Sequence, residues 1–396
     1  MHAPRWALAV LLAVLGMLGP FSIDTYIPAF GAISRSLQAT PVQMQQTLSA
    51  YLFGFAFMNL FHGALSDSFG RRPVVLWGLV VFTLASLGCA LSQSAAQLIF
   101  FRALQGMSTG AGIVVSRAVV RDLFLPSEAQ RVMSQITIFF GVAPAIAPVV
   151  GGVLSEYVSW QAVFGFLVAV GVALWAANWR LLPESLPPER RQPLHFGHLM
   201  RGYAQLLSDP RFLLLALASG VPFNGMFLYV LSAPAFLGDI LRLRPTQFFW
   251  FFVLSIGGIM AGSWLSGRMA GKVKPKNQIM QGFRIMVAMA LLNIAANALL
   301  APNVWWALIP ITVFSFGWAL MVPVVTLLVL DLHPERRGMA SSLQAVIGSA
   351  ANGLAAGVVA PLVMHSALGL ALTSAAFLGV GLVAWLWLRG RWPAIG

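Results

Sequence analysis

The chain has 396 residues, of which 59% are hydrophobic and only 9% are charged, with a formal net charge of +13. About a quarter of the residues in a soluble domain are charged, so this chain lacks the polar surface that a water-soluble protein needs. Its long apolar runs do not alternate with polar residues, which excludes a β-barrel and indicates a helical integral membrane protein. Cytoplasmic loops of such proteins collect Lys and Arg, so the positive charge does not indicate a nucleic-acid partner.

Apolar segments long enough to cross a bilayer recur along the whole chain, since about 20 helical residues span the hydrocarbon core. Charged or turn-rich breaks separate twelve such segments. The predicted helices are residues 5–30, 42–64, 74–92, 96–121, 130–154, 160–182, 210–236, 246–269, 278–300, 303–329, 338–363 and 366–388. We therefore predict an all-α membrane protein with twelve transmembrane helices.

Basic residues predict the orientation of these helices. With the N-terminus placed in the cytoplasm, only Arg35, Arg242 and Arg244 fall in external segments. Arg102 and Arg117 lie within the fourth helix, and the remaining Lys and Arg lie in or beside the predicted cytoplasmic segments. By the positive-inside rule, we expect both termini in the cytoplasm.

A polar, Pro-rich segment after the sixth helix predicts the domain organisation. It separates a first six-helix bundle, residues 1–182, from a second, residues 210–396, by a cytoplasmic linker, residues 183–209. The bundles repeat each other weakly, because LSDSFGRR at 65–72 aligns with LSGRMAGK at 265–272. Parallel repeats of this kind predict a binding site near the middle of the membrane, between the bundles.

Several motifs in the first half resemble those of one transporter family. GALSDSFGRRPVVL fits the major facilitator signature between the second and third helices, and FRALQGMSTGAG resembles the fourth-helix motif. GVAPAIAPVVGG resembles the fifth-helix motif associated with antiporters. With GPFSIDTYIPAF and SRAVVRDLF, the chain resembles the bicyclomycin/chloramphenicol-resistance (Bcr/CflA) branch of drug:proton antiporters. The resemblance implies two pseudo-symmetric six-helix bundles, a monomer, and a multi-pass protein of the inner (cytoplasmic) membrane.

The signature loop predicts a charged gate on the cytoplasmic side. Gly63 permits close approach of helix backbones, and Gly70 permits the positive φ of a sharp reversal. The turn places Asp67 beside Arg71, and Arg71 within reach of Asp122. By the resemblance, Asp67 also faces the N-terminus of the eleventh helix, whose dipole favours a carboxylate, and the contacts stabilise the outward-open state. We define the gate cluster as Gly63, Asp67, Gly70, Arg71, Arg72 and Asp122.

Two features limit the gate prediction. In the second half Gly267 replaces the acid and Gly271 replaces the first arginine, so only the first half is expected to carry the charged gate. Arg72 is either part of the gate or an ordinary basic residue of the cytoplasmic side.

Asp24 is the acidic residue that lies well within a predicted span. A charge near the bilayer centre costs at least about 2.5–3.5 kcal/mol, so Asp24 is expected to be functional and to face a cavity. Arg102 lies at a similar predicted depth and is its expected partner. We expect Asp24 to release its proton as substrate binds and to regain one from the exterior; a static Asp24–Arg102 pair that only positions helices is the alternative.

The antiporter-like motif comprises Gly141, Pro144, Pro148, Gly151 and Gly152. The prolines remove two backbone donors and are expected to kink the helix, and the glycines allow tight packing. Such a helix either restricts proton leak along the substrate path or simply packs on its neighbours.

Polar and aromatic residues within spans are candidates for the substrate cavity, because such surfaces suit an apolar, drug-sized ligand. We expect only some of them to contact substrate, and Arg117 either faces the cavity or extends to the membrane surface. Together with Asp24 and Arg102, the candidates are Tyr26, Tyr51, Asn59, Phe223, Asn224, Tyr229, Trp318 and Gln344.

These features predict proton-coupled efflux of small amphipathic compounds, such as amphenicol- or bicyclomycin-like drugs, by alternating access. A specific proton-coupled carrier of metabolites, nucleosides or purines is the alternative within the same fold. A membrane-embedded enzyme is disfavoured, because the sequence offers no catalytic constellation. The expected partners are a small-molecule substrate and the lipid bilayer; protons are the coupling ion, and no metal or other cofactor is expected.

Overall fold

The computed structural model describes residues 4–243 and 247–393. Over these ranges the secondary structure is helical, without a β-strand, which confirms the predicted all-α class. Arg244, which the sequence places in an external segment, lies outside the described residues. In the described part, 11 helices are long and apolar enough to cross a membrane, and the total reaches the predicted 12 if a further pair of helices, bent by 41°, is one span.

The helices of the first part of the chain follow the predicted segments closely. They are α1 (Arg5–Asp24), α2 (Phe30–Ser36), α3 (Pro41–Phe69), α4 (Arg71–Ala90), α5 (Ala95–Leu123), α6 (Pro126–Tyr157) and α7 (Trp160–Leu181). The predicted linker contains α8 (Phe196–Ser208).

The later helices also agree with the prediction to within a few residues at most boundaries. They are α9 (Pro210–Gly220), α10 (Phe223–Leu231), α11 (Phe249–Met269), α12 (Pro275–Leu299), α13 (Val304–Leu332), α14 (Arg337–Leu354), α15 (Ala360–Val363) and α16 (Ala367–Arg391). Helices α9 and α10 form the bent pair, and a π-helical stretch, Ala355–Val359, separates α14 from α15.

Capping side chains set where several apolar helices begin. The hydroxyl of Thr40 accepts a hydrogen bond of 3.2 Å from the Gln43 N–H, and the Gln43 side chain accepts one of 2.9 Å from the Thr40 N–H. Ser94 and Ser159 accept backbone hydrogen bonds at the starts of α5 and α7. Each such cap stabilises a helix by about 1 kcal/mol.

The first predicted span is not one continuous helix. Helix α1 ends at Asp24, and a short 3₁₀ turn, Ile27–Ala29, leads into α2. Pro28 lies in this turn, where it lacks a backbone donor and disfavours helical geometry in the residue before it. Asp24 is therefore at the C-terminal end of a helix rather than in the middle of one.

Contacts divide the chain into two compact units. The first comprises Met1–Phe124, Phe139–Gly202 and Glu335–Leu343. The second comprises Leu125–Ile138, Tyr203–Pro334 and Gln344–Gly396. Helices α6 and α14 each contribute residues to both units, so the start of α14 belongs to the first unit.

Each unit is organised around one central helix. In the first unit α5 packs against α1, α3 and α4, and in the second α13 packs against α9, α11 and α12. Glycines permit this close packing: a methyl group on Gly106 of α5 would overlap the carbonyl of Tyr51, and one on Gly262 of α11 would overlap the carbonyl of Phe316. Small residues are the usual means of such helix contact in membranes.

Candidate membrane-embedded site and gate

The guanidinium of Arg102 is enclosed in the first unit by aromatic rings. Its Cζ lies 4.3 Å from the ring centroids of both Tyr26 and Tyr51. Its Nη1 donates a hydrogen bond of 2.5 Å to Gln105, whose amide donates one of 2.7 Å to Ser86. Arg102 is fully buried, and its Nε and Nη2 have no hydrogen-bond partner among the described residues. The structure therefore holds this cation with π faces and one amide.

Hydroxyl groups fix the two rings around Arg102. The hydroxyl of Tyr51 is 2.7 Å from that of Ser22 and 3.0 Å from that of Thr109. The hydroxyl of Tyr26 is 2.5 Å from that of Thr47. Ser22, Thr47 and Thr109 were not predicted as site residues, although small polar residues within otherwise apolar helices are a signal that could have found them.

Asp24 does not pair with Arg102. The side chain of Asp24 is partly exposed at the end of α1, and no ion pair joins the two residues in the described part of the chain. The predicted pairing is wrong because depth alone does not bring side chains together. Tyr26 and Tyr51 lie over the guanidinium instead.

The antiporter-like motif packs against the break that follows Asp24. A methyl group on Gly151 of α6 would overlap the carbonyl of Thr25, the residue after Asp24. A methyl group on Gly152 would instead lie at an ordinary 3.9 Å from the Pro28 side chain. At Gly151, therefore, α6 packs too closely on Thr25 for any residue larger than glycine.

Helix α6 continues through the two prolines of the motif. It runs from Pro126 to Tyr157 with Pro144 and Pro148 inside it, and Gly141 lies in the same helix. The helix is not interrupted at either proline.

The gate cluster contains the predicted charged contacts. Arg71 donates from Nη1 to Asp67 at 2.5 Å and from Nε to Asp122 at 3.1 Å. Arg337, which was predicted as a basic residue of the cytoplasmic side but not as a member of the gate cluster, donates to the other oxygen of Asp122 at 2.7 Å. Gly70 has the expected positive φ, 102°, between α3 and α4. Charge-assisted hydrogen bonds of this kind are the stronger ones in proteins.

Asp67 also accepts backbone hydrogen bonds at the start of α14, as the family resemblance implied. The N–H groups of Gly338 and Met339 donate to its carboxylate at 3.1 and 2.8 Å. A methyl group on Gly63 would overlap the carbonyl of Gly338, and the Gly63 N–H donates to the Ser342 hydroxyl at 2.9 Å. Asp67 and Arg71 are both buried. The role of these contacts as a gate remains a prediction.

Glu184, in the predicted linker, caps the first turn of α4. Its carboxylate accepts from the N–H groups of Arg71 at 2.9 Å, Arg72 at 3.2 Å and Leu186 at 2.9 Å. The side chain of Arg72 donates to the carbonyl of Trp179 at 2.5 Å. A carboxylate is favoured at a helix N-terminus, where backbone donors are otherwise unpaired.

Two further linker residues contact the gate cluster. The hydroxyl of Ser185 donates to Asp122 at 3.2 Å, and the N–H of Gln192 donates to the carbonyl of Asp67 at 2.9 Å. This segment was predicted only as a connection between the bundles, because no local pattern shows that a polar loop folds onto a distant turn.

The second unit brings three of the cavity candidates together. The indole N–H of Trp318 donates to the carbonyl of Ser219 at 2.9 Å, and the amide of Gln344 donates to the Ser219 hydroxyl at 3.0 Å. The ring of Phe223 lies 4.8 Å from that of Trp318. Asn224 follows Phe223 and donates to the carbonyl of Gly220 at 3.4 Å. Ser219 is the connecting residue that the sequence analysis missed.

The remaining candidates have other neighbours. Tyr229 accepts a hydrogen bond of 2.7 Å from Asn293 and packs against Phe236. Asn59 is buried, and its Oδ1 has no hydrogen-bond partner among the described residues. Arg117 is partly exposed within α5, whose surrounding residues are mostly buried. Substrate contact by any of these residues remains a prediction.

Comparison with known proteins identifies the family. A sequence profile of the Major Facilitator Superfamily matches residues 12–356. The chain belongs to the major facilitator superfamily. Similar proteins include a bicyclomycin resistance protein homolog of Haemophilus influenzae, 30% identical over 383 residues, with 96% of this chain and 95% of the relative covered. Multidrug resistance protein D of Escherichia coli K12 is 29% identical over 390 residues, with 97% and 96% covered. These relatives confirm the resemblance to the bicyclomycin/chloramphenicol-resistance branch.

Solved structures of the superfamily share the fold. The human organic anion transporter MFSD10 superposes with a TM-score of 0.72 at 19% identity, covering 97% of this chain and 99% of the other. The proton:xylose symporter XylE gives a TM-score of 0.75 at 13% identity, covering 98% and 95%. At these identities the likeness shows the major facilitator fold and nothing about substrate.

Proposed function

We propose that this major facilitator protein exports small amphipathic compounds in exchange for protons, by alternating access. Two of its relatives are named for bicyclomycin resistance and multidrug resistance, which supports drug-like substrates. The bacterial sources of these relatives and the many apolar helices support a location in the bacterial inner membrane. The distribution of Lys and Arg along the chain supports cytoplasmic termini.

The proposed proton coupling rests on the environment of Asp24. It is an acid within a candidate membrane span, partly exposed where the helix breaks, without an ion-pair partner in the described part of the chain. A carboxylate in such a place is expensive to keep charged and is a functional candidate by default. Because no guanidinium neutralises it permanently, its proton is available for exchange with substrate.

Arg102 has a different role in this proposal. Its guanidinium stays protonated in proteins, and Tyr26 and Tyr51 hold it in place. It supplies a fixed positive charge and does not itself exchange protons. Asp24 is the group that titrates.

The proposal is tested by transport into inverted membrane vesicles with an imposed pH gradient. Asp24→Asn is expected to abolish gradient-driven uphill transport while leaving folded protein in the membrane. Asp239→Asn, a matched change at an exposed acid, is expected to retain transport. Undiminished uphill transport by Asp24→Asn would refute the assignment.

The breadth of substrates is tested in efflux-deficient cells by comparing the wild type with Asp24→Asn. Reduced accumulation of several unrelated drugs by the wild type supports a multidrug exporter. An effect confined to one metabolite or nucleoside supports the specific carrier instead.

A further inference from the structure

A strongly basic pocket lies in the second unit, where the first part of α6 meets the end of α11. The pocket is open to the surface, and its volume is about 340 Å³. The residues that line this basic pocket include Arg131, Ser263, Trp264, Gly267, Arg268 and Lys272. The relatives' names and the proposed transport function do not require a ligand here.

The pocket carries three positive charges without an acid in its lining. Arg131, Arg268 and Lys272 are exposed, and none of them has a carboxylate partner in the part of the chain that the structure describes. The guanidinium of Arg268 lies 4.7 Å from the ring centroid of Trp264. Glu128, one turn before Arg131 on α6, lies outside the lining.

Ser263 adds an unused hydrogen-bonding group. Its side chain is fully buried, and its hydroxyl has no partner among the described residues. A buried polar atom without a partner costs free energy unless something satisfies it. Three cations and a free hydroxyl together favour a ligand with a negative charge and several acceptor oxygens.

The repeat within the chain explains why this charge is unbalanced. Gly267 is the position that aligns with Asp67, so the second loop lacks the acid that pairs with Arg71 in the first unit. The neighbouring side-chain hydrogen bonds instead join uncharged groups: Gln130 donates to Gln278 at 2.9 Å, and Gln278 donates to Ser266 at 2.7 Å. The three basic side chains of the pocket are not part of this network.

We propose that the basic pocket binds the phosphate of an anionic phospholipid. The charge of the pocket is complementary to a phosphodiester, and basic pockets between transmembrane helices on the cytoplasmic side are suited to such headgroups. The exposed side chains of Trp264 and Met260 on α11 provide adjacent apolar surface for acyl chains. That surface favours a lipid over free phosphate, and an exposed tryptophan is typical of the membrane interface.

Native mass spectrometry of the purified protein with equimolar phosphatidylglycerol and phosphatidylcholine tests the proposal. The wild type is expected to retain phosphatidylglycerol preferentially. Arg268→Gln and Lys272→Gln are each expected to weaken this binding about fivefold, since one basic residue near the surface contributes on the order of 1 kcal/mol to anionic lipid binding. Lys274→Gln removes a charge from the same loop outside the pocket lining and is the matched control.

A second pair of variants tests the effect of an acid at position 267. A Cβ on Gly267 would lie 3.5 Å from the Ser134 Cβ and 3.9 Å from the Arg131 Cα, which are ordinary contacts, so the backbone at this position has room for a Cβ. Gly267→Asp is expected to abolish the preference for phosphatidylglycerol, whereas Gly267→Asn, of the same shape but neutral, is expected to keep it. Thermal unfolding of each variant verifies that it is folded.

Three results would overturn the proposal. One is equal retention of the two lipids by the wild type. Another is a combined result. Gly267→Asp and Gly267→Asn show the same lipid preference, and Arg268→Gln and Lys272→Gln bind phosphatidylglycerol as the wild type does. The third is displacement of phosphatidylglycerol by equimolar inorganic phosphate, which would assign the pocket to a free anion.

Discussion

The carboxylate of Glu184 lies 2.9 Å from the backbone nitrogen of Arg71 and caps the helix that begins there. This contact connects the segment after α7 to the turn between α3 and α4. Since the side chain of Arg71 binds Asp67 and Asp122, a residue of the predicted linker positions the backbone of the central residue of the gate cluster.

Replacement of Glu184 is expected to destabilise the first unit. Glu184→Gln removes the negative charge from the α4 N-terminus and should lower the free energy of unfolding by about 1 kcal/mol. Glu189→Gln, at an exposed position of the same linker, should have little effect. Thermal unfolding of the purified proteins measures the difference, and equal midpoints for both variants would contradict this capping role.

Two substitutions at Tyr51 separate its ring from its hydroxyl. Tyr51→Phe keeps the ring over Arg102 but removes the hydrogen bonds to Ser22 and Thr109, a loss of about 1 kcal/mol. Tyr51→Leu also removes the cation–π contact and should cost about 1–2 kcal/mol more in this buried setting. Tyr157→Leu, at a residue that is 77% exposed, is the control. Equal unfolding midpoints for the Phe and Leu variants would show that the ring does not stabilise the cation.

Neighbouring glycines of α6 should respond differently to the same change. Gly151→Ala places a methyl group against the Thr25 carbonyl, and overpacking of this kind costs about 1–3 kcal/mol. Gly152→Ala meets only an ordinary contact with Pro28 and should retain both stability and transport. Transport and thermal unfolding of both variants are the measurements, and the prediction fails if Gly151→Ala behaves like Gly152→Ala.

The carboxylate of Asp209, at the start of α9, is expected to make the stability of the protein depend on pH. Burial alone would raise the pKa of Asp209, but hydrogen bonds and charge from Arg211, together with a hydrogen bond from His333, lower it below its usual 3.8. A lowered folded-state pKa stabilises the protein above the unfolded-state pKa, and this contribution is lost as the pH falls through the folded-state value. Asp209→Asn keeps a capping side chain and should therefore be less stable than wild type at pH 7.

The difference between Asp209→Asn and wild type should shrink as the pH falls below about 4, where the unfolded-state carboxyl begins to bind its proton. Unfolding midpoints measured from pH 7 to pH 3 test this. A difference that stays constant over the whole range would show that the charge of Asp209 does not contribute.

The sequence predicted the helices well because apolar length is a local property. Even α13, with Pro310 and Pro323 inside it, forms one helix close to the predicted segment. The break after Asp24 was not predicted, since Pro28 also lies near the expected end of that span. The contacts of Arg71 with Asp67 and Asp122 followed from a motif whose members are close in the fold.

The membrane-embedded site was less predictable. Asp24 and Arg102 were selected as unusual charges, but their depth along two helices did not determine their partners. A side chain at a given depth can point to any side of its helix, and helix rotation is set by packing. The rings of Tyr26 and Tyr51 contact the guanidinium of Arg102, where the sequence predicted the carboxylate of Asp24.

By itself, the sequence determined the class of protein, the number of membrane helices and the family, because these depend on composition, on runs of apolar residues and on short motifs. Only the tertiary structure decided that Glu184 caps α4, that Arg102 is enclosed by tyrosines and that Gly267 lies in the lining of a basic pocket. These contacts join residues far apart in the chain. Their geometry depends on how helices rotate and pack, and that is a property of the whole fold.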